Sequence, residues 1–272
     1  MMPERRSELS DEAELELLEE LGKKVFGLRF EAIVHRAFER NLLGVKSQNV
    51  SFSRRLDSRT FFVRDSEYSA GFSENSFRGT AEEHFQLCHT ILKRLQIPES
   101  EIFKEILMKE QTQVASIDPG SGKVTKEPVK EGKYFARLSR QLDGMQVWDS
   151  SMILGLAEKD RIGYLQLHWP EIPSLVLREA QRLAHKVSTH WKPRSQAGGA
   201  IESIDAGIIH SPAIGFFMDI YAAIRVVYRT SSDQHRQKPM YFYDRHGEEI
   251  PIPRQITLPE RESDRRRREP VS

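Results

Sequence analysis

The chain carries 272 residues, 38% of them hydrophobic and 30% charged, and its 14 Phe, 7 Tyr and 3 Trp supply enough apolar mass for a packed core, which excludes wholesale disorder. Its 41 Lys and Arg stand against 40 Asp and Glu, a net +1, so no global field favours nucleic acid or an acidic membrane as the main partner. A single cysteine, Cys88, excludes an internal disulfide and a multi-cysteine zinc site, and fits a reducing compartment.

The start, Met1-Met2-Pro3-Glu4-Arg5-Arg6, runs into acids where a secretory leader needs an apolar stretch. The longest apolar run, Ala213-Ile214-Gly215-Phe216-Phe217-Met218, falls far short of the roughly 20 residues of a membrane helix. The expectation is a cytoplasmic protein without a membrane partner. Ser10 can cap a first helix whose opening turns carry Asp11, Glu12, Glu14, Glu16, Glu19 and Glu20, acids that suit the positive end of the helix dipole. Leu18, Leu21, Val25, Leu28 and Ala32 continue it as one apolar stripe, so residues 1–48 are expected to be a helical segment docked on the chain's own core.

Residues 49–79 mix Ser, Arg, Asp and Asn with Phe52, Phe61, Phe62, Val63, Tyr68 and Phe72 without a clear period, and predict an irregular connector with one short strand. At Thr80-Ala81-Glu82-Glu83 the spacing is that of a capping box. A second helix follows, with Phe85, Cys88, Ile91, Leu92 and Leu95 on its buried face and Pro98 as its stop. Cys88 is therefore expected to be a small core residue.

From residue 102 to 169 the pattern changes to strands punctuated by Pro119-Gly120-Ser121-Gly122, Asp143-Gly144 and Lys159-Asp160, an antiparallel meander. The alternation in Met145-Gln146-Val147-Trp148 and in residues 163–169 marks a sheet with one covered face. Ser174 can cap a third helix with Val176, Ala180, Leu183 and Val187 on one side; candidate strands follow at 200–209, 219–229 and 238–243. The expected fold is α+β: after the N-terminal helix come two tandem helix-plus-antiparallel-sheet modules, 80–173 and 174–258. Residues 259–272, where Arg265, Arg266, Arg267 and Arg268 lie among acids, are expected to form a disordered charged tail.

Two hairpin signatures carry a resemblance. One is Tyr134-Phe135-Ala136-Arg137-Leu138, the turn Asp143-Gly144 and Met145-Gln146-Val147-Trp148; the other is Tyr241-Phe242-Tyr243-Asp244-Arg245-His246-Gly247-Glu248. Together they resemble the propeptide modules of thermolysin-like and fungalysin-like metalloproteases and the related PepSY domains. The resemblance implies cystatin-like modules, a helix wrapped by an antiparallel sheet, that bind or inhibit protease domains. The chain departs from the pattern in showing no leader-like apolar stretch at its start and no H-E-x-x-H, so no attached zincin is expected.

Local templates for chemistry are absent: there is no G-x-G-x-x-G, Walker A, G-x-S-x-G or calcium-loop series, and no cofactor is implied. His84 and His89, like His185 and His190, stand five apart, one residue more than stacks two metal ligands on a helix face. The notable cluster is Arg137, Arg140, Trp148, His168 and Trp169, with Tyr164, on neighbouring strands, where arginine and aromatic side chains can form a recognition platform; the competing reading buries the tryptophans under the second helix. For acid or base work only scattered groups such as Asp219, Glu202 and His210 are candidates, and their convergence is not readable from sequence. The functional expectation is an accessory, inhibitor-like or partner-recognition protein that binds an unidentified protein through a surface. The alternative is an enzyme or ligand-binding protein holding a small molecule on the concave face of a curved sheet.

Overall fold

The computed structural model of the chain describes residues 11–30, 33–39, 42–55, 59–68, 76–187, 191, 200–212, 218–229 and 240–250. The Ser10 cap and the charged tail at 259–272 lie outside them. The chain divides into two compact units, Met1–Ile172 and Pro173–Ser272.

In the first unit the opening helix α1 (Asp11–Phe26) ends earlier than its apolar stripe suggests, because Gly27 takes a left-handed conformation, φ +66°, that stops the helical path. The next elements are strands. β1 (Ile33–Glu39), β2 (Leu42–Ser47), β3 (Val50–Arg55) and β4 (Thr60–Asp65) form an antiparallel run through residues expected to be helix and irregular connector. Helix α2 (Ala81–Arg94) comes next, then a 3-10 turn (Glu99–Glu101), β5 (Ile102–Thr112), a short hairpin of β6 (Ala115–Ile117) and β7 (Val124–Lys126), β8 (Lys130–Leu142), β9 (Met145–Glu158) and β10 (Arg161–His168). Strand β4 pairs with β10, β10 with β9, β9 with β8 and β8 with β5, every pair antiparallel.

The order β1-β2-β3-β4-β10-β9-β8-β5 is therefore one sheet, and both α1 and α2 serve the same face of it. Leu15, Leu18, Val25 and Phe26 of α1 and Cys88, Ile91 and Leu92 of α2 join Val45, Phe52, Phe61, Val63, Leu138, Met152, Leu154, Leu165 and Leu167 in a single buried core. Phe26 lies with its ring 5.2 Å from Phe52 and 5.4 Å from Phe61, which fixes α1 on β3 and β4. Helix α2 begins at the expected capping box: Thr80 Oγ1 accepts the Glu83 N–H and the Glu83 carboxylate accepts the Thr80 N–H. The expectation of two tandem cystatin-like or PepSY-like modules is thus wrong. Sheet dominates the described residues, with thirteen strands against three α-helices, and the strands before α2 complete the sheet that α2 covers.

The second unit carries α3 (Ser174–Val187), β11 (Ile201–Pro212), β12 (Met218–Tyr228) and β13 (Met240–Tyr243), with β12 between the other two strands. Leu183 of α3 is buried against Ile224, Val226, Tyr228 and Tyr243, and Val187 and Trp191 pack on the same cluster. The turn after β13 closes when Asp244 Oδ1 accepts the N–H groups of His246 and Glu248, with Gly247 at φ +82°. No helix among the described residues is long and apolar enough to cross a membrane.

Candidate recognition face

Because side chains alternate across a strand, the core accounts for only half of each strand in the first unit. Register places the remainder in three rungs on the opposite face. Lys104, Ser139, Ser151, His168 and Thr60 form one; Ile106, Arg137, Ile153, Gln166 and Phe62 the next; Met108, Phe135, Gly155, Tyr164 and Arg64 the third. The middle rung is amphipathic: an arginine between two isoleucines. Ile106 is exposed, Arg137, Ile153, Gln166 and Phe62 are half-buried, and Arg137 Nε is buried with no hydrogen-bond partner among the described residues.

The third rung is held by an aromatic chain. The Tyr68 ring stands edge-on to Phe135 at 6.1 Å, and Phe135 edge-on to Tyr164 at 6.1 Å. Tyr68 fits because glycines lie beneath it: a Cβ at Gly155 or Gly163 would collide with its ring and hydroxyl. Asp65 sets the approach, its Oδ1 accepting the N–H groups of Glu67 and Tyr68. Lys133 Nζ donates to the Tyr68 carbonyl and lies 4.7 Å from the ring centre. Burial, reinforced by the charge of Glu110, pushes the Tyr68 phenol's pKa up, so the hydroxyl stays protonated.

The five residues expected to form one patch do not share one environment. Arg140 and Trp169 are buried with Glu101: Glu101 Oε2 accepts Arg140 Nε at 2.8 Å and Trp169 Nε1 at 2.9 Å, Arg140 also donates to the Pro170 carbonyl, and its guanidinium lies 5.3 Å from the Trp169 ring centre. Burial lowers the Arg140 pKa while Glu101 opposes that shift. These two bind one another and the 3-10 turn. The cause is alternation along β8, which sets Arg140 on the core face with Ala136 and Leu138, opposite to Arg137; across from it β9 carries a bulge, since Ser139 pairs with Ser151 but Arg140 with Val147, so residues 148–150 are extra.

Trp148, within that bulge, is half-buried and donates to Gln146 Oε1 at 3.1 Å. His168 lies on the face of Arg137 one rung away, buried, with Nδ1 2.7 Å from Thr60 Oγ1 and its carbonyl accepting from Ser150. Arg137 is therefore the expected residue that stands on the face half-exposed, and Ile106, Phe135, Tyr68 and the two glycines are members sequence reasoning missed. The signal for them was present in the alternation of β5 and β8 and in glycines interrupting otherwise apolar strands.

The acid and base candidates lie in the second unit. Glu202 and His210 are eight positions apart on β11, roughly 26 Å at the usual rise of a strand, so they do not converge. Glu202 is exposed, His210 buried, and Asp219 is the second residue of β12, opposite Ser211, its side chain outside the described residues.

No family model and no curated protein matches the chain. Among solved structures it is similar to an uncharacterized protein from Eubacterium rectale ATCC 33656, at 15% identity over 91% of this chain and 83% of that one, with a TM-score of 0.43.

Proposed function

We propose that the protein is a cytoplasmic recognition protein that binds a partner segment bearing a carboxylate, through the face of the first unit's sheet centred on Arg137. The observation that carries the reading is the Arg137 guanidinium, half-buried between Ile106 and Ile153 with Nε buried and lacking a hydrogen-bond partner among the described residues. A buried donor without an acceptor costs about 1–3 kcal/mol, a cost that an incoming carboxylate removes. Charge-assisted bonds from arginine are short and directional, and the flanking Ile106, Ile153 and Phe135 supply the apolar surface that excludes water around such a contact.

The test is a peptide array probed with the purified full chain and with Arg137→Gln. Wild type should enrich peptides with an acidic residue beside apolar ones, and Arg137→Gln should bind them at least about tenfold more weakly with an unchanged circular dichroism spectrum. Equal binding by the variant, or enriched peptides lacking acids, would sink the reading.

A further inference from the structure

The second unit holds a cationic groove that the recognition face does not use. It lies between the polar side of α3, which contributes Glu179, Arg182, His185 and Lys186, and the turn after β13, which contributes Arg245 and His246; its volume is about 550 Å³. Arg182, Lys186 and Arg245 thus line it together with one carboxylate. That carboxylate offsets Arg182 only in part: Glu179 stands 3.8 Å from Arg182, whose side chain is 75% exposed, and exposed pairs of this kind are weak.

Cations at the end of a helix have an ordinary explanation in the negative pole of the helix dipole, and that suffices for His185 and Lys186. It does not account for Arg245 and His246, which arrive from a different element. Asp244 could have neutralised them, but its Oδ1 is turned into the loop, accepting the N–H groups of His246 and Glu248. Arg245 Nε donates to His246 Nε2 at 2.9 Å, so the imidazole orients the guanidinium and the terminal nitrogens remain for a ligand.

We propose that this groove binds a small phosphorylated molecule, its phosphate held between Arg182 and Arg245 with Lys186 beside them. Planar guanidinium groups offer paired donors that match phosphate oxygens, and the volume falls within the roughly 300–1,000 Å³ of small-molecule sites. Since the dipole of α3 opposes an anion here, the affinity rests on the arginine side chains and not on backbone N–H groups.

Titration calorimetry of the full chain at low salt, with inorganic phosphate and pyrophosphate as probes, tests this. Pyrophosphate should bind one site per chain and more tightly than phosphate. The double variant Arg182→Gln and Arg245→Gln should weaken it by about tenfold or more, whereas Glu179→Gln should tighten it severalfold. All three side chains lie on the groove's open surface, so the fold should survive, and circular dichroism checks that it does. No pyrophosphate binding, binding indifferent to the double variant, or binding only to phosphatidic acid vesicles and not to pyrophosphate would overturn the proposal.

Discussion

At Gly155 the absence of a side chain decides what the neighbouring strand can hold. A Cβ there would collide with the Tyr68 hydroxyl and come within 2.9 Å of Phe135 Cδ1, so Gly155→Ala should destabilise the protein by about 1–3 kcal/mol through overpacking. The Tyr68 hydroxyl is buried with no hydrogen-bond partner among the described residues, so Tyr68→Phe alone should be neutral or slightly stabilising. Combined with Gly155→Ala it should recover part of the loss, since the hydroxyl is the nearest obstacle; urea denaturation of the four proteins measures this, and an additive cycle would refute the contact. Glu101 makes a complementary case. Glu101→Gln leaves the Arg140 charge buried without its counter-ion and should cost roughly 3 kcal/mol, far more than removal of an exposed ion pair such as Arg161 with Glu158. Burial also raises the pKa of the Cys88 thiol, so thiol reagents should modify Cys88 at the rate of unfolding.

Helix α2 shows how far local chemistry specifies an element. Its capping box, apolar face and stop were all legible from residues 80–98, because each depends on neighbours within a few positions. The Asp143-Gly144 turn was legible for the same reason: both residues take positive φ, +47° and +79°, as a tight hairpin needs. Strands β1 to β4 were not. The stripe of α1 runs on at helical spacing past Gly27, and the serines and arginines of β3 hide the alternation that Phe52 carries. At the candidate site, Arg137 could be named from sequence, and its three-residue spacing from Arg140 already sets the two on opposite faces of a strand; the bulge that holds Trp148 could not be read, since three extra residues in β9 become visible only once pairing is known.

The cap yields a pH-dependent prediction. A hydrogen bond from the Thr80 N–H holds the Glu83 carboxyl below the usual carboxylate range. Its contribution is therefore present at neutral pH and lost as pH falls through the lowered value. Thr80→Ala should cost about 1 kcal/mol at neutral pH, and the smaller penalty of Glu83→Gln should vanish in acid. A Glu83→Gln penalty that persisted in acid would mean that packing, not the charged bond, is responsible.

At the scale of the molecule the decisive pairing is β4 with β10, which joins Phe61 to Leu167 and Val63 to Leu165 across more than a hundred residues of chain. Nothing local announces such a contact, and an antiparallel meander read from residue 102 onward looks complete without it. With it, α1 and α2, which precede and follow β1 to β4 in the chain, cover one surface, and the buried core that includes Leu15, Cys88 and Trp169 is drawn entirely from Met1–Ile172. A domain with its own apolar core can fold alone, so a chain ending at Ile172 should unfold cooperatively, with native-like far-ultraviolet dichroism and protected amides in β9 and β10. Introducing Val63→Asp should abolish that transition, because it buries a charge at a fully enclosed position where β4 meets β10. If the shortened chain instead shows a broad, non-cooperative melt, residues beyond Ile172 are needed to hold the first unit's core together, and the two compact units are one folding unit.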